Sequence, residues 1–252
     1  MNDNALTLKG IVEESSNIVF FGGAGVSTES GIPDFRSETG LYKARAEYGR
    51  SPESLVSHSL FIAEPSLFFD YYKKNLIFRN AKPNAAHFAL SKLEKEGKIL
   101  AIVTQNIDGL HQAAGSVRVR ELHGSVQRNY CMKCGATFDL DYILDEAHCK
   151  DENGVVGSVP FCDKCGGTVR PDVVLYEEPL EQDTVSRAVD AIARADTLIV
   201  GGTSLVVYPA AEYLRYFRGR RMVVINKTET SADGRADLVI REPIGETMSA
   251  FL

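Results

Sequence analysis

The sequence predicts an α/β protein: a parallel sheet with helices on both faces, interrupted once by a helical insertion and once by a cysteine-rich module. Three observations predict this. Unbroken apolar runs at 17–21, 99–104, 197–200 and 222–225 have the length and character of strands buried on both faces. The intervening segments carry apolar residues at the i, i+3, i+4 spacing of amphipathic helices. Two stretches, about 37–82 and 126–172, fit neither pattern.

The first run ends at Gly22 and Gly23, a turn signal. Asn84 is the expected cap of a helix that carries Ala85, Phe88, Ala89 and Leu93 and stops at Gly97. Asp183 is expected to cap a second helix, whose Val185, Ala188, Val189 and Ile192 share one face. Pro209 suits the first turn of a third helix ending near Gly219. In sheets of this kind ligands sit at the carboxyl ends of the strands. The 37–82 segment, with Phe68, Phe69, Tyr71 and Tyr72, reads as helical and has no strand within it. The 126–172 segment holds all five cysteines and little continuous apolar sequence, so it needs a staple.

At roughly 150 residues per domain, 252 residues make one large domain with an appendage. Residues 1–125 and 173–252 are assigned to the sheet domain and 126–172 to the appended module. The composition, 44% hydrophobic and 25% charged, is that of an ordinary globular chain. Twenty-eight basic against 34 acidic residues give a net charge of −6 with no block of one sign, which argues against nonspecific nucleic-acid or membrane-surface binding. The first sixteen residues carry Asp3, Glu13, Glu14 and a single lysine, unlike a secretory signal, and no run approaches the ~18 apolar residues of a membrane helix. Five cysteines in such a chain are expected to be reduced, so a cytoplasmic location is expected. No flanking arm suggests dimerisation, and a monomer is expected.

Cys131 and Cys134 form one Cys-x-x-Cys pair and Cys162 and Cys165 another, with Gly135 and Gly166 following them. Two thiols on a tight turn reach one ion, and four thiolates complete a tetrahedral zinc shell; four unrelated buried thiols are the alternative. The pairs are separated by residues 135–161, more than the usual ~15–20, which a three-stranded ribbon with an inserted loop accommodates. A closed shell has no open position for substrate, so this zinc holds structure. Cys149 is left as a loop thiol.

Gly23, Ala24 and Gly25 follow a strand and precede a helical segment, where a Rossmann-like sheet cradles a dinucleotide pyrophosphate on backbone N–H groups. Alone they fit a plain tight turn equally well, since Thr28 stands where the third glycine of that fingerprint belongs. The stretch from Gly23 to Arg36, GAGVSTESGIPDFR, resembles the opening motif of the sirtuins, the NAD-dependent protein lysine deacylases. The segments 104–111 (TQNIDGLH), 122–124 (LHG), the cysteine pairs, 170–174 (RPDVV) and 202–210 (GTSLVVYPA) follow in that family's order, so the resemblance covers nearly the whole chain.

The resemblance implies that Ala24, Thr28, Phe35 and Arg36 line the NAD site, that Gln105, Ile107 and Asp108 surround the nicotinamide and its ribose, and that Thr203 and Ser204 lie near phosphates and ribose. Asn226 and Lys227, with Ile244, are assigned to the adenosine end. His123 takes the place of the catalytic base, a role suited to imidazole near neutral pH. In the implied reaction the acyl oxygen of an acyl-lysine displaces nicotinamide from C1′ of the ribose and Asp108 orients the carboxamide. His123 then deprotonates a ribose hydroxyl, Asn106 positions water or the ribose, and O-acetyl-ADP-ribose and free lysine are released. NAD is consumed. The protein substrate is expected as an extended strand against Val174, Leu175, Tyr176 and Val207. The acyl pocket is expected to be lined by Leu175, Tyr176 and one of Phe69 or Ile107.

The family commonly reads Phe-Gly-Glu where this chain has Tyr176, Glu177 and Glu178. Relatives that remove acidic acyl groups carry a Tyr-x-x-Arg pair in the helical insertion. Here Tyr42 and Arg45 have that spacing but belong to the expected cofactor loop, so an acetyl or longer apolar acyl group is expected. Two other functions share these residues: mono-ADP-ribosyl transfer to protein, and a non-catalytic NAD- or ADP-ribose-binding module.

Overall fold

The computed structural model describes residues 3–33, 45–151 and 154–252. Its main sheet is built from β1 (Ile18–Gly22), β2 (Ile99–Thr104), β3 (Val119–Glu121) and, after an excursion, β9 (Thr197–Gly201), β10 (Arg221–Ile225) and β11 (Leu238–Ile240). The spatial order is β11-β10-β9-β1-β2-β3 and every pairing is parallel. Counting only these six strands, that is the 3-2-1-4-5-6 order of the dinucleotide-binding sheet, in which the direction of winding reverses between the first and fourth strands. The four apolar runs are all strands, each within one residue of its expected limits. The two edge strands, three residues each, are too short to register as runs.

Alternate residues of these strands feed two separate cores, as the period of two demands. Ile18, Phe20, Ile102, Ile199 and Val223 pack on one face with Leu8 and Val12 of α1 (Asp3–Glu14) and with Ala86, Leu90 and Leu93 of a helix at Ala85–Lys95. Val19, Phe21, Val103, Leu198 and Val224 pack on the other with Ala188, Ala191 and Ile192 of a helix at Gln182–Arg194. Asn84 caps the first of these as expected, its side chain accepting from Ala86 N at 3.0 Å. The second is capped by Glu181, which accepts from the amides of Asp183 and Thr184, rather than by Asp183. Asp183 instead pairs with Arg187 one turn on, at 2.6 Å. The segment after Pro209 forms a 3-10 helix, Ala210–Tyr216, which ends before Gly219.

The described part of the insertion contains helices at Pro52–Leu55, His58–Ala63 and Pro65–Asn75. The cysteine-rich segment builds a three-stranded antiparallel sheet from β4 (Gly124–Cys131), β5 (Thr137–Phe138) and β8 (Val169–Val173), with a two-stranded ribbon of β6 (Cys149–Lys150) and β7 (Val159–Pro160). These two interruptions share a third core: Phe68, Phe69 and Tyr72 of the insertion pack with Val126, Ile143, Val169 and Leu175. The segment with little continuous apolar sequence completes its core with the aromatic residues of the insertion.

Candidate active site and metal site

Gly22, Thr104, Gly201 and Ile225 end adjacent parallel strands in one register row, with Glu121 beside Thr104. The loops 23–28, 105–108, 122–123, 202–204 and 226–227 therefore leave a single sheet edge. Between β1 and β9, where the winding reverses, the two glycine-bearing turns touch: Gly25 N donates to Gly202 O at 2.8 Å and Gly23 N to Gly201 O at 3.3 Å. A Cβ on Gly25 would lie 2.8 Å from Gly202 Cα, and Gly202 itself has φ 57°. Side chains on either loop would force them apart, so the glycines create the close approach on which the amide cradle depends.

The 105–108 loop is fixed by its own polar side chains. Asn106 Nδ2 donates to Ser27 Oγ at 3.1 Å, and Ser27 Oγ donates to Asp108 Oδ2 at 2.6 Å. The other Asp108 oxygen accepts from Leu110 N at 2.9 Å. Gln105 Nε2 donates to Thr203 Oγ1 at 3.1 Å, tying the loop to the turn after β9. Beneath it lie His87 and His111, both buried, with ring centroids 4.8 Å apart. Burial pushes His87 down to about 4, an effect the Asp108 charge opposes, and pushes His111 down to about 3.

His123 is brought to this loop: its Nδ1 hydrogen bonds to the Gln105 carbonyl at 2.8 Å. A carbonyl only accepts, so Nδ1 carries the proton and Nε2 is the basic nitrogen of the neutral ring. His123 O accepts from Val174 N at 3.0 Å, and a Cβ on the following Gly124 (φ 76°) would strike the Asp172 carbonyl. His123 is thus held between the 105–108 loop and the end of β8.

The remaining assigned residues divide. Ala24 is half-buried in the first turn after β1, and Thr28 is exposed, its hydroxyl donating to Gly25 O. Ile107 is partly buried against the third core. Thr203 is buried as a brace for Gln105 and Leu205, whereas Ser204 and Lys227 are exposed. Asn226 donates to the Thr228 carbonyl at 2.9 Å. Ile244 is a core residue packed beneath Gly201. Phe35, Arg36 and Tyr42 lie outside the described residues. Ser27, which joins Asn106 to Asp108, escaped sequence reasoning: it lies inside the opening motif, but no spacing reveals that it reaches a residue eighty positions on.

On the substrate side, Leu175 and Phe69 are buried in the third core, while Val174, Tyr176 and Val207 are half-buried. The N–H groups of 174, 175 and 176 already donate within the protein, to His123 O, Glu178 Oε2 and Val56 O. Among the described residues, the Val174 carbonyl and the N–H and C=O of Glu177 have no such partner.

The four cysteine sulfurs lie within 4.8 Å of one another, Cys131 to Cys165 at 3.4 Å and Cys134 to Cys162 at 3.7 Å. A tetrahedron of Zn–S bonds about 2.3 Å long places its sulfurs about 3.8 Å apart, so the set fits zinc. Both pairs fold alike: Gly135 N and Gly166 N donate to the carbonyls of Cys131 and Cys162, and both glycines have φ 71°. Cys149 stands apart, with Lys73 Nζ 3.1 Å from its sulfur.

The Sir2 family model matches residues 23–209. The chain belongs to the Sir2 family. The NAD-dependent protein deacetylases of Clostridium perfringens and Clostridium acetobutylicum are 57% and 56% identical to it, over 100% and 99% of this chain and 100% and 98% of theirs. A solved Sir2 with a deacetylated p53 peptide and 3′-O-acetyl ADP ribose superposes with a TM-score of 0.85 at 37% identity, covering 98% of this chain and 96% of that one. A Sir2 bound to acetylated peptide gives 0.82 at 35% identity over 98% and 96%. The Sir2 match thus spans every loop from the Gly23 turn to the segment after β9. Among the described residues no helix is long and apolar enough to cross a membrane.

Proposed function

We propose that this chain is an NAD-dependent protein lysine deacetylase that releases nicotinamide, O-acetyl-ADP-ribose and deacetylated lysine. The observation that carries the reading is the hydrogen-bonded group Asn106–Ser27–Asp108 beside His123, at the sheet edge where the glycine turns meet. The names of the full-length relatives and of the solved Sir2 complexes support it.

Bound NAD supplies an electrophilic C1′ carrying a nicotinamide leaving group. The protein's part is positioning and proton transfer. Asp108, accepting from Ser27, offers a fixed acceptor for the carboxamide N–H, and Ser27 in turn aims Asn106. His123, its tautomer set by the Gln105 carbonyl, takes the proton of a ribose hydroxyl at Nε2. The backbone amides of 23–25 and the loop containing Phe35 and Arg36 hold phosphates. Residues 126–172 act as the zinc module on a sheet domain of 1–125 and 173–252, and one zinc on Cys131, Cys134, Cys162 and Cys165 serves structure only. The enzyme works as a monomer in the cytoplasm, where its thiols stay reduced.

His123→Ala should abolish deacetylation of an acetyl-lysine peptide, followed by mass spectrometry, while calorimetric NAD affinity stays within about threefold. Undiminished turnover would remove His123 as the base. Nicotinamide release that needs no acetylated peptide would favour ADP-ribosyl transfer. Faster cleavage of a succinyl than of an acetyl peptide would overturn the acyl preference.

A further inference from the structure

Glu177 has a backbone φ of 77°, the left-handed region that glycine enters freely and a residue with a side chain does not. What holds it there is its own carboxylate, which accepts from Ser59 N and from Ser59 Oγ, both at 2.9 Å. The same two segments are stitched at the neighbouring residues: Tyr176 N donates to Val56 O at 3.1 Å, His58 N to Tyr176 O at 3.0 Å, and His58 Nδ1 meets Glu178 Oε1 at 2.8 Å. Glu178 is further bound by both terminal nitrogens of Arg170, at 2.9 and 3.0 Å. Among the described residues no cation pairs with Glu177, so its carboxylate answers to Ser59 alone. The groups this turn leaves for a ligand are the backbone N–H and C=O of Glu177 itself, next to the Val174 carbonyl.

We propose that Glu177 is a positioning residue for the peptide: by gripping Ser59, its side chain holds its own backbone in the turn that presents the 177 N–H and C=O to an incoming extended substrate. The inference rests on the deacetylase reading for its substrate and goes beyond it in assigning the residue. An extended peptide binds a strand edge through main-chain hydrogen bonds, so affinity depends on how firmly that edge is preset. Among the described residues the side chains of Ser59 and Glu177 make no hydrogen bond to the turns at 23–28, 105–108 and 202–204. A glycine at 177 would keep the turn accessible but no longer hold it, so the variant folds and the presetting is lost.

The test compares Glu177→Gly, Glu177→Gln and Ser59→Ala with the parent, using steady-state KM and kcat for an acetyl-lysine peptide and for NAD. Calorimetric titration of the same peptide without NAD accompanies the kinetics. Glu177→Gly should raise the peptide KM and Kd about fivefold with kcat and the NAD KM within about twofold, the loss of charge-assisted bonds partly exposed to water. Glu177→Gln, which keeps an oxygen for Ser59 N–H, should recover most of the affinity, and Ser59→Ala should fall between. An unchanged peptide KM and Kd in Glu177→Gly overturns the proposal, as does an equal loss toward peptide and NAD with a lowered melting temperature. Peptide binding by a parent that never turns over would remove the deacetylase reading while the Kd series still judges the latch; a parent that binds no peptide removes both.

Discussion

The buried histidines make an acid-stability prediction that can be worked through. His111 is 1% exposed, and neither ring nitrogen has a partner among the described residues. Its ring packs against His87 at 4.8 Å and edge-on to Phe20 at 6.1 Å, while the Asp108 carboxylate also acts on His87. Burial holds His111 neutral down to about pH 3, whereas in the unfolded chain it charges near the ordinary value of about 6.5. Below 6.5 the unfolded state therefore binds more protons, and stability falls as pH falls, until the folded group itself titrates. At pH 5, about 1.5 units below the unfolded value, the loss is about 2 kcal/mol from His111. Burial holds the neighbouring His87 down as well, so it acts in the same direction. The His111 loss alone is a substantial share of the ~5–15 kcal/mol that holds a typical domain together. His111→Leu removes the titrating ring and two unpartnered nitrogens at similar volume, so at pH 7.5 it should cost no more than about 1 kcal/mol. Between pH 7.5 and 5.0 it should gain about 2 kcal/mol relative to the parent, read from urea unfolding midpoints with zinc in excess. Because the thiolate site also responds to acid, only the difference between variant and parent counts. If both lose the same stability over that range, His111 does not titrate as its burial requires.

Two further outcomes follow from the site. Gly202→Ala places a Cβ against Val26 N and the Gly25 carbonyl carbon at φ 57°, so it should destabilise the protein by about 3 kcal/mol and weaken calorimetric NAD binding at least tenfold. Chelating the metal should unfold the 126–172 segment and abolish turnover together, whereas a fully active metal-free protein would show that the four thiols carry no structural ion.

The sheet was legible because a parallel strand buried on both faces must be apolar throughout, and runs such as 99–104 have no other use in a chain of this composition. The metal site was legible because two Cys-x-x-Cys turns encode nearly all of their geometry locally. What sequence could not supply was contact between distant segments. Glu181 rather than Asp183 caps its helix because a longer side chain two residues earlier reaches both free amides. Likewise Thr203 bonds to Gln105 and Leu175 packs in the third core, contacts that no sequence spacing announces. In each case the residue type was compatible with either environment and only the packing decides. The Ser27 bridge and the Glu177 latch are of the same kind.

Why a metal that touches no substrate should matter to catalysis follows from where its ligands sit. β4 begins at Gly124, directly after His123, and ends at Cys131; β8 begins shortly after Cys165 and leads to Val174, whose N–H holds the His123 carbonyl. The two strands pair antiparallel, Gly124 opposite Val173 and Cys131 opposite Val169, so the four thiols close one end of a ladder whose other end holds His123. The ladder has a register irregularity between Ser125 and Asn129, and the module's few buried apolar residues, Val126, Leu140, Ile143 and Val169, form a core only together with Phe68, Phe69 and Tyr72 of the insertion. A four-thiolate clamp supplies the rigidity that so few apolar residues cannot. Loss of the ion should therefore be felt first as loss of His123 placement, before the main sheet, with its two cores of its own, gives way.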